Sequence, residues 1–143
     1  MATARNAKVT WSGSLTEGSG TIEGVTSGAF GPLDVSWPSR AEDATGQTSP
    51  EELIAAAWAS CFSMSLSHGL AGDGNAPERL ETSVTVTFQP GEGITNGAIH
   101  VIGTVSGLDH AAFVAKAEDA KENCPVSKAL AGIPDVSLEA TLA

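Results

Sequence analysis

Two cysteines are the residues of this chain whose chemistry is most informative. Cys61 lies in an apolar stretch, and Cys124 directly precedes Pro125. A thiol reacts as a nucleophile or redox centre when a cation or a helix N-terminus lowers its pKa, and it is inert when packed among apolar groups. Two cysteines so far apart are most often small buried hydrophobic residues, and their spacing leaves open which of them would be the nucleophile.

The histidines do not favour a metal site. His68, His100 and His110 fit no ligand spacing, and neither cysteine belongs to a CxxC pair. His68 lies seven positions after Cys61, on the same face of a helix but about 10 Å away, which disfavours activation of the thiol by this imidazole. Another thiol-dependent enzyme, such as a hydrolase, is one alternative. A non-enzymatic stress or ligand-binding protein with an inert Cys61 is the other.

Local signals place Cys61 in a long helix. Ser49 can cap this helix, Pro50 suits its first position, and Glu52 completes a capping box with Ser49. Residues 53–70 are apolar nearly all round, which predicts a central buried helix. The helix dipole acts only near a helix end, so the thiol of Cys61 needs a cation to become a thiolate.

Short strands and a second helix accompany the long helix. The predicted strands are residues 9–15, 21–25 and 33–37 before it, and residues 80–88, 99–105 and 136–142 after it. Residues 38–48 are predicted to be a loop. The second helix is predicted from about Asp109 to just before Pro125. A short turn is predicted to follow it, and Cys124 would lie at the N-terminus of that turn.

This order of elements predicts an α+β fold in a single domain of residues 1–143, because no βαβ alternation occurs. Antiparallel sheets would wrap around the long central helix. Sheets this small cannot cover a helix that is apolar on all sides, so an intertwined homodimer is predicted.

The chain is strongly acidic, with a formal net charge of −10. Such a charge repels phosphate backbones and anionic membrane surfaces, so no nucleic-acid or membrane partner is expected. No apolar run approaches the roughly 20 residues of a bilayer span, and the first residues lack the pattern of a signal peptide. A cytoplasmic protein is predicted.

Several motifs occur along the whole chain in the order of one known family. The long helix carries residues 49–57 (SPEELIAAA) and 59–64 (ASCFSM). The other motifs are residues 11–13 (WSG), residues 18–20 (GSG), Ser39 with Arg40, and residues 123–127 (NCPVS). Together they resemble the OsmC/Ohr family of hydroperoxide reductases, and the Ser-Arg-x-Glu segment favours the OsmC branch.

The resemblance implies roles for four residues. Cys61 would be the peroxidatic thiolate, Arg40 its cationic neighbour, Glu51 the carboxylate that orients the arginine, and Cys124 the resolving thiol. The implied substrate is an organic hydroperoxide, with hydrogen peroxide as a further candidate. The implied reductant is an external dithiol such as a lipoylated protein, and no bound cofactor or metal is implied.

The arginine segment departs from the family's pattern. An aromatic residue is expected after Arg40, where this chain has Ala41. Glu42 therefore becomes a second candidate partner for the arginine, and the choice between Glu42 and Glu51 stays open on sequence grounds.

Helix geometry adds an expectation about Glu51. Glu51 lies ten positions before Cys61, which separates them by about 15 Å along the helix axis, so they cannot share a site within one chain. If two copies of the helix cross antiparallel near residues 55–57, where alanines allow close approach, Glu51 of one chain lies beside Cys61 of the other. An active site at a homodimer interface is therefore predicted.

Overall fold

The computed structural model describes residues 1–143 and confirms the predicted α+β class. Its N-terminal elements are β1 (Ala7–Ser12), β2 (Ser19–Val25), β3 (Leu33–Val35) and α1 (Trp37–Ala41). These are followed by α2 (Pro50–Gly72), β4 (Arg79–Gln89), β5 (Gly93–Thr104), α3 (His110–Asn123), α4 (Pro125–Ala129) and β6 (Asp135–Leu142). The chain divides into two compact units, Met1–Leu53 and Ile54–Ala143.

The first unit contains the antiparallel sheet β1-β2-β3 and helix α1. The predicted loop over residues 38–48 is wrong at its start, because α1 occupies this position. The Ser36 hydroxyl accepts a hydrogen bond from the N–H of Ser39 at 3.3 Å, and the Ser39 hydroxyl accepts one from the N–H of Ser36 at 3.1 Å. This capping box has serine where Glu or Gln is usual, which hides the helix start in the sequence.

The second unit contains the sheet β4-β5-β6. Strands β4 and β5 pair antiparallel, as predicted for a hairpin, whereas β5 and β6 pair parallel. The chain between β5 and β6 passes through α3 and α4, and such a crossover is what joins parallel neighbours. The parallel pair is therefore a consequence of the two helices that also position Cys124.

Helix α2 buries one stripe of its surface within the chain. The buried residues are Trp58, Phe62, Leu66 and Leu70, spaced by four positions. Met64, on another side of the helix, is 72% exposed. The single chain therefore does not bury α2 all round, as expected for sheets this small.

By length and composition alone, α2 could cross a bilayer. This corrects the expectation that no apolar run approaches the length of a bilayer span. Serines interrupt the apolar residues of α2, but they do not make the helix polar. Its buried stripe belongs to one hydrophobic cluster with Ile99, Val101 and Phe113, so α2 is the core helix of the second unit.

Two glycines of β5 allow aromatic rings to lie directly against the sheet. A Cβ atom at Gly97 would lie 2.4 Å from the ring of Trp58, and one at Gly103 would lie 2.4 Å from the ring of Phe113. Both rings are buried and have little room to move. The position of Trp58, which lies near both cysteines in the cluster, is therefore set by the absence of a side chain at Gly97.

Replacing Gly103 by alanine is expected to lower the free energy of unfolding by about 1–3 kcal/mol, because the new methyl group overlaps Phe113. The measurement is the urea midpoint at unchanged slope. Gly132→Ala is the matched control, since nothing lies within 4 Å of its added Cβ. Equal midpoints for the two variants would contradict the packing described for β5.

Candidate active site

Cys61 lies in the middle of α2, where the helix places it beside the buried stripe. Its thiol is free and half-buried, and it packs against the hydrophobic cluster that contains Cys124. Burial raises the pKa of the Cys61 thiol, and the neighbouring Cys124 adds to this rise against an opposing hydrogen bond from the backbone of Val126. Within its own unit, Cys61 is therefore held mainly as the neutral thiol.

Cys124 occupies the junction between two helices. It ends α3, where its N–H donates to the carbonyl of Ala120 at 2.9 Å, and it caps α4, whose first residue is Pro125. Its free thiol is 0% exposed, and the sulfur accepts a hydrogen bond from the N–H of Ser127 at 3.4 Å. The predicted helix N-terminus at Cys124 is thus present.

Opposing effects act on the Cys124 thiol. Burial raises its pKa, but hydrogen bonds from the hydroxyl and the backbone of Ser127, with smaller ones from Cys61 and Val126, lower the pKa below its ordinary value. The direction follows from the general rule that donors aimed at a sulfur stabilise its anionic form. Within this unit the negative charge is therefore easier to place on Cys124 than on Cys61.

The two thiols are close enough for each to affect the ionisation of the other through a hydrogen bond between the sulfurs. Both are reduced. A pair of neighbouring thiols, one half-buried and one fully buried, is an arrangement from which a disulfide can form. Residues 61 and 124 are thus brought together by the packing of α2 against the α3–α4 junction.

Arg40 and Glu51 form a partly buried ion pair in the first unit. The guanidinium Nε donates to Glu51 Oε1 at 2.9 Å, and Nη2 lies 2.8 Å from the same oxygen. Glu51 is only 7% exposed, in the first turn of α2 where a carboxylate is favoured by the helix N-terminus. Of the two candidate carboxylates, it is Glu51 that faces the arginine, while Glu42 caps the end of α1.

The four predicted site residues therefore form two pairs. Arg40 and Glu51 lie in the unit Met1–Leu53, and Cys61 and Cys124 lie in the unit Ile54–Ala143. Each pair combines residues from different elements, α1 with α2 in one case and α2 with the α3–α4 junction in the other.

Two further residues, Trp58 and Ser127, belong to this arrangement and are not among the four predicted site residues. The indole Nε1–H of Trp58 donates to the Ser127 hydroxyl at 2.7 Å, and Ser127 in turn contacts the sulfur of Cys124. One local signal could have identified Ser127. It lies three residues after Cys124, and the N–H at that position commonly donates to the side chain of the residue that caps the helix. The partnership with Trp58, 69 positions away, has no local signal.

A cavity of about 440 Å³ adjoins these residues. Trp58 and Ser127 line it together with apolar side chains such as Leu130 and Ile133 and with three charged side chains, those of Lys121, Glu122 and Lys128. Neither cysteine lines this cavity.

A long helix with a mid-helix cysteine, packed on a three-stranded sheet beside a second free cysteine, defines a class of small α+β dithiol proteins. The particular family follows from comparison with known sequences. A family model described as OsmC-like protein matches residues 42–139, and the chain belongs to the OsmC family. The predicted family, with its OsmC branch favoured, is confirmed.

Known relatives agree in sequence and in structure. The chain is 37% identical over 123 residues to the peroxiredoxin OsmC of Escherichia coli, covering 84% of this chain and 85% of the relative. It is 29% identical over 109 residues to the organic hydroperoxide resistance protein OhrB of Bacillus subtilis, covering 75% and 79%. The crystal structure of an organic hydroperoxide resistance protein OsmC from Legionella pneumophila superposes with a TM-score of 0.70 at 27% identity, covering 95% and 96%.

Proposed function

We propose that this chain is a peroxiredoxin-like reductase of organic hydroperoxides that uses Cys61 and Cys124 as a redox pair. The observation that carries the proposal is the pair of free, neighbouring thiols between α2 and the α3–α4 junction. The relatives named as a peroxiredoxin and as organic hydroperoxide resistance proteins support it. Hydrogen peroxide is a further candidate substrate.

The proposed reaction begins at the half-buried sulfur. The Cys61 thiolate attacks one oxygen of the hydroperoxide, the O–O bond breaks, and the other oxygen leaves as an alcohol after taking up a proton. Cys61 then carries a sulfenic acid. The Cys124 thiolate attacks this sulfur, hydroxide leaves and is protonated to water, and a Cys61–Cys124 disulfide forms. An external dithiol, such as a lipoylated protein, reduces the disulfide and becomes a disulfide itself.

The first step requires a cation near Cys61, because burial raises the pKa of this thiol. Arg40 is the proposed source, since its guanidinium stays charged and is already oriented by Glu51. Because Glu51 and Cys61 lie ten positions apart on α2, we assign Arg40 and Glu51 to the site of a second chain in a homodimer. The uncovered apolar surface of α2 around Met64 is consistent with such a partner.

The proposed cycle also bears on the compartment. Regeneration by a dithiol requires a reducing environment, and the cytoplasm is such a compartment. A cytoplasmic location is therefore part of the proposal, together with a reaction that uses no bound cofactor.

Titration of the thiols with peroxide tests the proposal. Addition of equimolar cumene hydroperoxide to the reduced protein is expected to remove both free thiols and to produce an intrachain disulfide, visible by peptide mass spectrometry. Thiols that stay unreactive would contradict it and would leave a non-enzymatic ligand-binding protein as the better interpretation.

A further inference from the structure

We propose that Ser127, held by Trp58, is a positioning residue that makes Cys124 the leaving thiolate when the disulfide is reduced, so that the external dithiol attacks Cys61. The inference rests on the proposed function, because it concerns the step that regenerates the same pair of thiols. It concerns two residues, Trp58 and Ser127, outside the four to which the sequence resemblance gives roles.

The hydrogen bond from Trp58 determines which hydrogen bonds the Ser127 hydroxyl can make. An indole N–H can only donate, so the Ser127 oxygen must accept in the 2.7 Å bond from Trp58 Nε1. The hydroxyl proton of Ser127 is then left to donate elsewhere, and this hydroxyl is one of the groups that lower the pKa of Cys124. The N–H of the same residue donates to the Cys124 sulfur at 3.4 Å, which places Ser127 beside this sulfur.

The orientation of this relay is rigid. Trp58 is 1% exposed, and its ring lies directly against Gly97 of β5, where a side chain would overlap it. Ser127 is the third residue of α4, three positions after the capping residue Cys124. The donors are therefore in place before charge develops on the sulfur, which is the arrangement that stabilises an anion most effectively.

Burial gives the same direction of attack. Cys124 is fully buried by its own chain, and a partner chain cannot uncover it. Cys61 is half-buried, so of the two sulfurs it is the one to which the chain itself leaves a path.

The step balances as a thiol–disulfide exchange. One thiolate of the dithiol attacks the Cys61 sulfur, a new S–S bond forms there, and the electron pair of the Cys61–Cys124 bond passes to the Cys124 sulfur. The second thiolate of the same dithiol then attacks its own sulfur in the mixed disulfide and releases Cys61 as thiolate. A thiol with a lower pKa leaves faster, and the Ser127 donors act in that direction on Cys124.

The site of attack can be read directly. The disulfide is formed with diamide, the oxidised protein is mixed briefly with 2-mercaptoethanol, and free thiols are alkylated before peptide mass spectrometry. We expect the mercaptoethanol adduct on Cys61 and the alkyl group on Cys124. An adduct mainly on Cys124, or failure of diamide to link the two cysteines, would overturn the inference.

The role of the relay is tested by three substitutions in the same assay. Ser127→Ala is expected to slow reduction of the disulfide by dithiothreitol about three- to tenfold. Trp58→Phe is expected to slow it less, because Ser127 then keeps its hydroxyl and loses only the bond that orients it. Ser127→Thr keeps the hydroxyl and should restore the rate. Ser63→Ala is the matched control: it removes another hydroxyl of the same kind, bonded at 2.7 Å to Thr82.

A spectroscopic titration separates positioning from general stability. In a Cys61→Ser background, thiolate absorbance at 240 nm reports Cys124 alone. The pKa of Cys124 is lowered by its Ser127 donors, so Ser127→Ala must move the titration to higher pH, while Ser63→Ala leaves it in place. An unmoved titration in Ser127→Ala would overturn the assignment.

These tests do not depend on peroxide. Because diamide forms the disulfide, the direction of attack can be measured even if hydroperoxides do not react with the protein. Unreactive thiols with cumene hydroperoxide would contradict the proposed function alone, whereas attack on Cys124 in the diamide-oxidised protein would contradict the positioning role alone.

Discussion

Replacing Cys61 by serine is expected to abolish hydroperoxide reduction, whereas replacing Cys124 by serine is expected to leave a single turnover per chain. A serine hydroxyl is not a nucleophile toward peroxide at neutral pH, so the first variant cannot break the O–O bond. The second variant still forms the sulfenic acid on Cys61, but no neighbouring thiol is left to condense with it.

The measurement is hydroperoxide consumption with and without excess dithiothreitol, together with the mass of each chain after one equivalent of peroxide. A gain of one oxygen on Cys61 is expected in Cys124→Ser only. Near-ultraviolet circular dichroism serves as the folding control, because Cys124 lies in the hydrophobic cluster and its substitution disturbs buried packing.

The reverse outcome has a physical basis and would be informative. Within its own unit, hydrogen bonds from Ser127 lower the pKa of Cys124, while burial raises the pKa of Cys61. If Cys61→Ser kept the single turnover and Cys124→Ser lost it, Cys124 would be the peroxidatic residue and the assigned roles would be exchanged.

Elements with strong local signals were predicted well from the sequence. The start of α2 follows from Ser49 and Pro50, and the N–H of Glu52 donates to the Ser49 hydroxyl at 3.2 Å as a capping residue requires. Helix α3 begins after Asp109, whose carboxylate accepts from the N–H of Ala112 at 2.8 Å. Capping involves residues three positions apart, so it can be inferred without knowledge of the fold.

Features that depend on distant residues could not be predicted in this way. The parallel pairing of β6 with β5 and the bond between Trp58 and Ser127 join residues far apart in the chain. The spacing of Cys61 and Cys124 by itself favoured two inert thiols, and only the motifs around them indicated a redox pair. Local propensity carries no information about which side chains meet in the core.

The burial of helix α2 agrees with what its composition indicated. The helix is apolar nearly all round, and sheets this small were expected to leave part of it uncovered. Its buried stripe runs from Trp58 to Leu70, and Met64 is exposed. The second chain of the proposed homodimer would cover this exposed side.

Mixing Glu51→Ala chains with Cys61→Ser chains is expected to recover about a quarter of wild-type activity in the mixture and about half in the purified mixed dimer, although each variant alone is nearly inactive. Random pairing places half of the chains in mixed dimers, and each mixed dimer keeps one site with an intact Cys61 and the partner's Glu51. Glu51→Ala alone should lower the rate about a hundredfold, because Arg40 loses the carboxylate that orients it.

The measurement requires separate tags on the two variants, co-refolding, and purification of the doubly tagged dimer. Glu52→Ala is the matched control, since Glu52 neighbours Glu51 but is exposed and bonds to Thr48 rather than to Arg40. This control should keep nearly full activity on its own. A mixed dimer no more active than its parents, or a chain that is monomeric at assay concentration, would contradict the trans assignment.

The reason to expect recovery lies in the environment of Cys61. A mid-helix thiol gains nothing from the helix dipole, and burial raises the pKa of Cys61 despite the opposing hydrogen bond from the backbone of Val126, so its own unit favours the neutral thiol. The ion pair of Arg40 and Glu51 is preassembled, with the Arg40 side chain 31% exposed. A regained activity in the mixed dimer would show that reactivity at Cys61 depends on a charge delivered by the second chain.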